Sequence, residues 1–170
     1  MLGRHRWVGA LAICAIAVPT LLSAERAGRS DSADTMQTTA VTVGRYLHTR
    51  ALPGQTAYVL YARVNTLYYA GIRDPFPYNW SLMMLSVPRA QDHLRALLAS
   101  PRRPTWVVKA DGTRAFGLDG SGATQRLLTS HYRLAGTVCG ERVLLARGAR
   151  ALPAPNGLHC SVASGRAAPS

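Results

Sequence analysis

Residues Thr56 to Ala70 read TAYVLYARVNTLYYA, a strand signal followed directly by a helix signal. The run Thr56 to Ala62 is apolar and rich in residues that favour β-structure. The turn pair Pro53-Gly54 precedes it, so it predicts the first strand. Asn65 to Ala70 then predicts a short helix. A strand that leads directly into a helix is typical of α/β proteins, in which helices cover a sheet.

The segments on either side continue the alternation of helix and strand. Upstream, apolar residues recur at helical spacing and predict an amphipathic helix over residues 35–49. Downstream, Gly71 to Leu85 contain two prolines and three aromatic residues without a clear period, so we expect an ordered loop. Pro88 suits a first helical turn, and the leucines after it predict a helix over residues 88–99.

The C-terminal half repeats this order and then adds a hairpin. Thr105 to Ala110 predicts the second strand, and Asp119 is expected to cap a helix over residues 120–131. Two further strands are joined by Gly140-Glu141, and a loop of two residues that begins with glycine predicts a type II′ turn. The strands of this hairpin are Arg133–Cys139 and Arg142–Arg147.

The order helix, strand, helix, strand, helix, hairpin predicts one α/β domain over residues 35–148. Strands joined by crossover helices run parallel, so we expect a small three-layer, mostly parallel Rossmann-like sheet that ends in an antiparallel hairpin. A polar linker (25–34) precedes this domain, and a small-residue tail (149–170) that we expect to be disordered follows it. No G-x-G-x-x-G follows the first strand, so a dinucleotide is disfavoured. We expect no cofactor.

Residues 1–24 have the features of a single-pass membrane anchor. Trp7 to Ala24 carry no charge, and eighteen helical residues extend roughly 27 Å, close to the thickness of a hydrocarbon core. Arg4 and Arg6 precede this run and are expected to stay in the cytoplasm, which leaves the domain outside. The alternative is a cleaved signal peptide, after which the domain is secreted.

Two cysteines, Cys139 and Cys160, follow the apolar segment, and an even number is compatible with a disulfide in an oxidising compartment. Such a bridge would hold the tail against the domain. The alternative is a buried thiol at Cys139 and an unpaired thiol in the tail. The third cysteine, Cys14, lies within the apolar segment and is expected to act there as a small apolar residue.

The formal net charge is +12, from 20 lysines and arginines against 8 acidic residues. Nucleic-acid-binding proteins concentrate such cations on one face. Here the arginines are scattered singly, and Arg102-Arg103 is the only adjacent pair, so we expect no nucleic-acid partner. A cationic domain beside a membrane is attracted to anionic headgroups and lipid phosphates, which makes membrane lipid the favoured partner.

The sequence contains no complete catalytic constellation. Ser130 and His131 are adjacent in a predicted helix, where neighbours point in different directions, so we expect no proton relay between them. The histidines and cysteines lack the spacing of zinc ligands, so no metal site is predicted. Asp111 and Asp119 would form the carboxylate pair of a glycosidase-like enzyme, but both stand where aspartate is a common turn or cap residue.

The favoured ligand site lies where the first two strands end, because parallel sheets bind ligands beyond the carboxyl ends of their strands. Helix N-terminal amides and arginines at this edge suit a phosphate, and aromatic rings suit a sugar. The alternative is that the aromatic residues close the end of the sheet and that Arg73-Asp74 is a surface turn. The predicted ligand-binding residues are Arg63, Asn65, Arg73, Tyr78, Trp80 and Asp111.

Three phrases carry a resemblance to a known family: TVGRYLHTRALPGQTAYVLYARVNTLYYAGIRDPFPYNW (42–80), RPTWVVKA (103–110) and LLTSHYRLAGTVCGERVLL (127–145). With the apolar segment before them, they resemble the C-terminal extracytoplasmic portion of actinobacterial multi-pass glycosyltransferases, over roughly residues 5–148. Those enzymes are similar to protein mannosyltransferases and arabinose-lipid A transferases, and they take sugars from polyprenyl phosphate. Their catalytic carboxylates lie in an early extracytoplasmic loop that has no counterpart here, so no catalytic residue is carried over.

The sequence therefore predicts a membrane-anchored extracytoplasmic domain that is non-catalytic on its own and is associated with cell-envelope glycosyl transfer. Its partner would be a polyprenyl-phosphate sugar, a glycan or a multi-pass membrane transferase. One alternative is an exported carbohydrate-active enzyme that uses Asp111 and Asp119. Another alternative is a truncated glycosyltransferase fragment without an independent role.

Overall fold

The computed structural model describes residues 35–110, 117–155 and 160. The chain divides into the units Met1–Gln37 and Thr38–Ser170, and the sheet belongs to the second. The predicted α/β class is confirmed, because the described residues combine a four-stranded sheet with helices before, between and after its first strands. The helices are α1 (35–50), α2 (Asn65–Ala70), α3 (Ser81–Ser86), α4 (Ala90–Ala99) and α5 (Ala123–His131). The strands are β1 (Ala57–Leu60), β2 (Trp106–Lys109), β3 (Tyr132–Val138) and β4 (Glu141–Ala146).

Among the described residues, no helix combines the length and the apolar character that a bilayer crossing requires. The uncharged run Trp7–Ala24, on which the predicted anchor depends, lies outside the described residues. The predicted linker (25–34) also lies outside them. Both remain sequence predictions.

The sheet is mixed rather than mostly parallel, with the strand order β1-β2-β4-β3. β1 and β2 pair in parallel, whereas β4 is antiparallel to both β2 and β3. The crossover through α5 does return β3 in the direction of β2, as the sequence predicts. However, β4 turns back and lies between them, so the hairpin does not simply extend one edge, and two of the three pairings are antiparallel.

Helices cover both faces of the sheet. Side chains of successive strand residues point to opposite faces, and in β1 and β2 the residues on both faces are mostly apolar and buried. On one face, Tyr58 and Val107 pack with Leu94 of α4 and Leu128 of α5. On the other face, the core contains side chains from β1, β2, β4, α1 and α2. These are Val43, Tyr46, Leu47, Ala57, Val59, Leu67, Ala70, Trp106, Val108, Val143 and Leu145, together with Val138 of β3. The domain therefore has two hydrophobic cores, and the sheet lies between them.

The hairpin turn consists of Cys139 and Gly140, one position earlier than the sequence predicts. Both residues have positive φ, 51° and 78°, and positive φ at both central residues defines a type I′ turn. The prediction of a type II′ turn over Gly140-Glu141 is therefore wrong. Glu141 instead begins β4 opposite Val138, and its side chain is buried.

Helix α3 lies within Gly71 to Leu85, which the sequence predicts to be a loop. Its sequence, SLMMLS, is rich in leucine and methionine, which have high helix propensity. Met84 is its one residue in the core, whereas Leu82, Met83 and Leu85 are exposed. Because most apolar side chains of α3 point outward, its sequence has no amphipathic period, and hydrophobic periodicity does not predict the helix.

The tail predicted to be disordered from residue 149 lies against the domain over residues 149–155. The backbone N–H of Leu152 donates to the Arg50 carbonyl at 2.9 Å, and the Arg50 Nε donates to the Leu152 carbonyl at 3.0 Å. Cys160 in the tail forms a disulfide with Cys139 of the hairpin turn, with a Cα–Cα distance of 5.3 Å. This is one of the two alternatives that the sequence left open. Arg50 of α1 and Cys139 of the hairpin turn thus hold the tail against the domain. The composition of the tail alone predicts disorder.

Candidate functional site

The six predicted ligand residues do not form one site. Arg63 and Asn65 follow the carboxyl end of β1, as expected. Arg73 lies at the opposite end of this strand, because it bridges to Thr56 and its carbonyl accepts the N–H of Ala57 at 3.1 Å. Asp111 lies outside the described residues. The prediction that Arg63 and Arg73 share a cleft is therefore wrong.

The Arg63 side chain has a structural partner. Its Nη1 donates to Oε1 of Glu141, whose side chain is only 2% exposed, and this ion pair connects the end of β1 with the beginning of β4. Arg63 itself has a positive φ of 54°, a conformation that turns the chain into α2. Asn65 is exposed at the start of α2, which has only six residues. A phosphate site at this helix is therefore disfavoured.

The two aromatic residues of the loop have different environments. Tyr78 packs against the core, with its ring edge-to-face with Phe76 at 5.4 Å, and its carbonyl accepts the hydroxyl of Tyr58 at 3.0 Å. Trp80 is exposed immediately before α3. Tyr78 thus fits the alternative in which aromatic residues complete the core, whereas Trp80 remains accessible.

A pocket of about 480 Å³ lies at the carboxyl ends of β1 and β2, where the sequence places the ligand. Asp119 lines it, and its two carboxylate oxygens accept the N–H groups of Thr124 and Gln125, each at 2.9 Å. Lys109 donates to the Gln125 side-chain oxygen at 2.5 Å. The Asp119 carboxylate caps α5, as predicted, and it occupies the amides that an anionic ligand would use.

A second pocket, about 670 Å³ in volume, lies at the amino ends of β1 and β2. Parallel pairing places these ends side by side, and the Trp106 N–H donates to the Thr56 carbonyl at 3.0 Å. We call it the arginine pocket, because three of its lining residues are arginines and its described lining contains no carboxylate. The lining residues are Thr56, Arg73, Pro75, Ala96, Leu97, Ser100, Arg102 and Arg103.

Backbone contacts support one side of the arginine pocket. The hydroxyl of Ser100 accepts the Arg102 N–H at 3.1 Å, and the Nε of Arg103 donates to the Ser100 carbonyl at 2.8 Å. Arg103 is half-buried, whereas Arg73 and Arg102 are exposed. Of these three arginines, only Arg73 is among the predicted ligand-binding residues. The adjacent arginines Arg102-Arg103 are evident in the sequence, but they line the same pocket as Arg73 only because β1 and β2 pair in parallel.

Asp74, next to Arg73, is directed into the protein. Its Oδ1 accepts the Phe76 N–H at 2.8 Å, which closes a local turn. Burial raises the pKa of this carboxyl to about 6, although hydrogen bonds from Phe76 and Asn79 lower it. Arg73 therefore lies beside a carboxyl that holds its proton more strongly than an ordinary aspartate does.

A metal site within the described residues would require several ligating side chains close together. No group of three or more histidine, cysteine, aspartate or glutamate side chains converges within this part of the chain. The Ser130 hydroxyl donates to the Leu127 carbonyl at 3.1 Å, and His131 is the last residue of α5. Ser130 is thus engaged with the helix backbone.

No protein-family model, curated protein or solved structure matches this chain.

Proposed function

We propose that this protein is a membrane-anchored extracytoplasmic binding module of cell-envelope glycosyl transfer, non-catalytic on its own. Its ligand is a polyprenyl-phosphate sugar, whose phosphate binds in the arginine pocket. The observation that carries the proposal is that Arg73, Arg102 and Arg103 line one pocket whose described lining has no carboxylate. Other partners with the same chemistry are an anionic glycan and a phosphate-carrying lipid that a multi-pass transferase supplies.

Arginine suits a phosphate for a geometric reason. Its planar guanidinium presents parallel N–H donors that match two phosphate oxygens, and such charge-assisted bonds are roughly twice as strong as neutral ones. Arg103 is half-buried and its Nε already donates to Ser100, so its guanidinium is partly pre-positioned. Less side-chain entropy is then lost when the ligand binds. Pro75 and Leu97 provide apolar surface beside these charges.

The proposed location depends on the N-terminal segment and the cysteines. Trp7–Ala24 is an uncharged run preceded by cations, the arrangement of a helix with a cytoplasmic N-terminus. A Cys139–Cys160 disulfide is stable in an oxidising compartment, which supports a domain outside the cytoplasm. A single-pass anchor would keep the arginine pocket near lipid-linked substrates. Secretion after cleavage of the segment is the alternative.

The proposed absence of catalysis is supported by the role of Asp119. Its carboxylate is engaged with two helix amides, and it is the one carboxylate among the described residues that line the carboxyl-end pocket. The alternative enzyme would need Asp111, which lies outside the described residues.

We also propose that the domain is a small three-layer, Rossmann-like sandwich. A sheet between two helical layers, with parallel strands joined by crossover helices, supports a small Rossmann-like architecture.

The test is a binding measurement on the full chain in detergent micelles, with a short-chain prenyl phosphate as the probe and the corresponding prenyl alcohol as its uncharged control. We expect the phosphate to bind and the alcohol not to bind. Arg73→Ala and Arg103→Ala should each weaken binding by about tenfold or more, since a hydrogen bond to a charged group contributes about 1.5–3 kcal/mol. Arg103→Lys should weaken it less, because the charge remains while the planar donor arrangement is lost.

Arg45→Ala is the matched control, because Arg45 is exposed on α1 and does not line the arginine pocket. Binding should also decrease as salt is raised, since ions screen the attraction. Equal affinity for the phosphate and the alcohol would contradict the proposal. So would equal losses in the Arg45 and Arg73 variants, because the effect would then depend on total charge rather than on the pocket.

A further inference from the structure

Helix α3 and the residue before it expose four large apolar side chains close together in the chain, Trp80, Leu82, Met83 and Leu85, which we call the α3 surface. Their exposed fractions are 57%, 65%, 41% and 58%. Eight large apolar side chains of the described residues are exposed, and half of them lie within these six consecutive positions. Single exposed apolar residues are normal on protein surfaces, but a contiguous group indicates an interaction site.

The α3 surface is presented on a fixed element. Met84 inserts into the core between the exposed residues, and its N–H donates to the Trp80 carbonyl at 3.0 Å. After the helix, the Val87 N–H donates to the Met83 carbonyl at 2.9 Å. Before it, Tyr78 is held by the core residue Tyr58. The apolar side chains therefore project outward from a regular helical turn that Met84 attaches to the core.

The chain segment that contains this surface carries a net positive charge. Residues 75–88 contain no charged side chain, and Arg73 and Arg89 stand on either side. Over residues 71–103, five arginines oppose two aspartates, a net charge of 5 − 2 = +3. One of these aspartates, Asp92, is paired with Arg95. An apolar surface within a segment of net positive charge is complementary to an anionic membrane, where headgroups attract arginine and the acyl boundary accepts apolar side chains.

The size of the α3 surface favours a bilayer over a partner protein. A helix of six residues is about 9 Å long, whereas a stable protein interface buries about 800 Å² on each partner. A bilayer needs only a few inserted apolar side chains and nearby cations, and it is already close if the N-terminal segment is an anchor. Tryptophan is enriched at membrane interfaces, because its ring is apolar and its N–H remains hydrated.

We infer that the α3 surface inserts into the interfacial layer of an anionic bilayer and orients the domain on the membrane. This inference rests on the membrane location in the proposed function, but not on ligand binding in the arginine pocket. The extracytoplasmic domain would then be held at two points, the N-terminal segment and α3. Such contact would limit the orientations in which its pockets meet lipid-linked substrates.

The test uses the full chain reconstituted into vesicles of phosphatidylglycerol and phosphatidylcholine whose acyl chains carry bromine, a quencher of tryptophan fluorescence. The chain has three tryptophans, so Trp7→Phe is introduced to leave Trp80 and Trp106 as emitters. Trp106 is fully buried and serves as an internal unquenched reference. We expect bromines near the headgroups to quench Trp80 strongly and bromines at the bilayer centre to quench it weakly.

The variant Leu82→Ser/Leu85→Ser should lose most of this quenching, whereas Leu134→Ser should retain it. Leu134 is a matched control, because it is 50% exposed on β3 and outside the α3 surface. Replacement of phosphatidylglycerol by phosphatidylcholine should reduce the quenching of Trp80. The three leucines are at exposed positions, and an unchanged circular dichroism spectrum shows that each variant is folded.

An anchored chain whose Trp80 is unquenched in anionic vesicles would overturn this inference and leave the ligand proposal intact. Protection of Trp80 from a water-soluble quencher only after membrane proteins are added would also overturn it, because the occupant would then be a protein. Loss of the chain from the vesicles would refute the anchor together with this inference. Failure of the prenyl phosphate to bind, with Trp80 still quenched, would refute the arginine-pocket proposal alone.

Discussion

Replacement of Gly44 by alanine is a direct test of how α1 packs on α2. Gly44 is buried, and a Cβ added to it would lie 2.5 Å from the Cβ of Tyr69 and 2.7 Å from the carbonyl oxygen of Thr66. Carbon atoms in contact are normally about 3.5–4.0 Å apart, so the added methyl group is about 1–1.5 Å too close. The opposing atoms belong to the backbone or adjoin it, and they cannot rotate away.

Two effects set the expected magnitude for Gly44→Ala. Overpacking costs about 1–3 kcal/mol, and the upper part of this range applies because α2 must shift as a unit. Alanine has a helix propensity about 0.8–1.0 kcal/mol more favourable than that of glycine, which offsets part of this cost. We therefore expect a net loss of about 1–2 kcal/mol in the free energy of unfolding, and a fall of roughly 4–10 °C in Tm.

The assay is thermal unfolding of the full chain in detergent, followed by circular dichroism and repeated in urea. Gly120→Ala is the matched control, because its nearest neighbour, the carbonyl oxygen of Gly117, is 4.0 Å from the added Cβ. That variant should stay within about 0.5 kcal/mol of the wild type. An unfolding midpoint for Gly44→Ala equal to or above that of the wild type would refute the close approach of α1 and α2.

Two further predictions concern titration and redox state. Burial raises the pKa of Asp74 to about 6, above its ordinary value of 3.8, so its stabilising contribution is present below about pH 4 and is lost as the pH rises through 6. Asp74→Asn should flatten this part of the stability profile in urea unfolding, and an unchanged profile would contradict the burial of the carboxyl. In cells, an exported chain should expose only Cys14 to a thiol reagent under denaturing conditions without reductant, whereas three reactive thiols would place the domain in the cytoplasm.

Most regular elements could be predicted because their signals are local. The bounds of α2 match the prediction, and the cores of β1, β2 and α4 lie within the predicted segments. The cap of α5 by Asp119 was also visible, since aspartate before a helix commonly accepts its first amides. These features depend on residues within a few positions of one another, so a single sequence contains the information.

The sequence predictions for α3 and for the hairpin turn are wrong, because the same residues fit two different local structures. Apolar side chains in α3 point outward, whereas the helical pattern of apolar residues predicts a helix only when they form one buried face. In the hairpin, Gly140 fits either central position of a turn. The buried pairing of Glu141 with Arg63 assigns Glu141 to the strand and so shifts the turn to Cys139-Gly140. That ion pair joins residues 78 positions apart, and local propensity does not contain it.

The sequence by itself determined the α/β class, the positions of most helices and strands, and the uncharged N-terminal run, because propensity, periodicity and charge are read within short windows. The tertiary structure alone decided which residues share a site. The sheet is mixed because β4 lies between β2 and β3. The bridge between Thr56 and Arg73 places Arg73 at the amino end of β1, whereas Arg63 follows its carboxyl end. The arginine pocket depends on these long-range pairings, because its two arginine segments, Arg73 and Arg102-Arg103, become neighbours only when β1 and β2 pair in parallel.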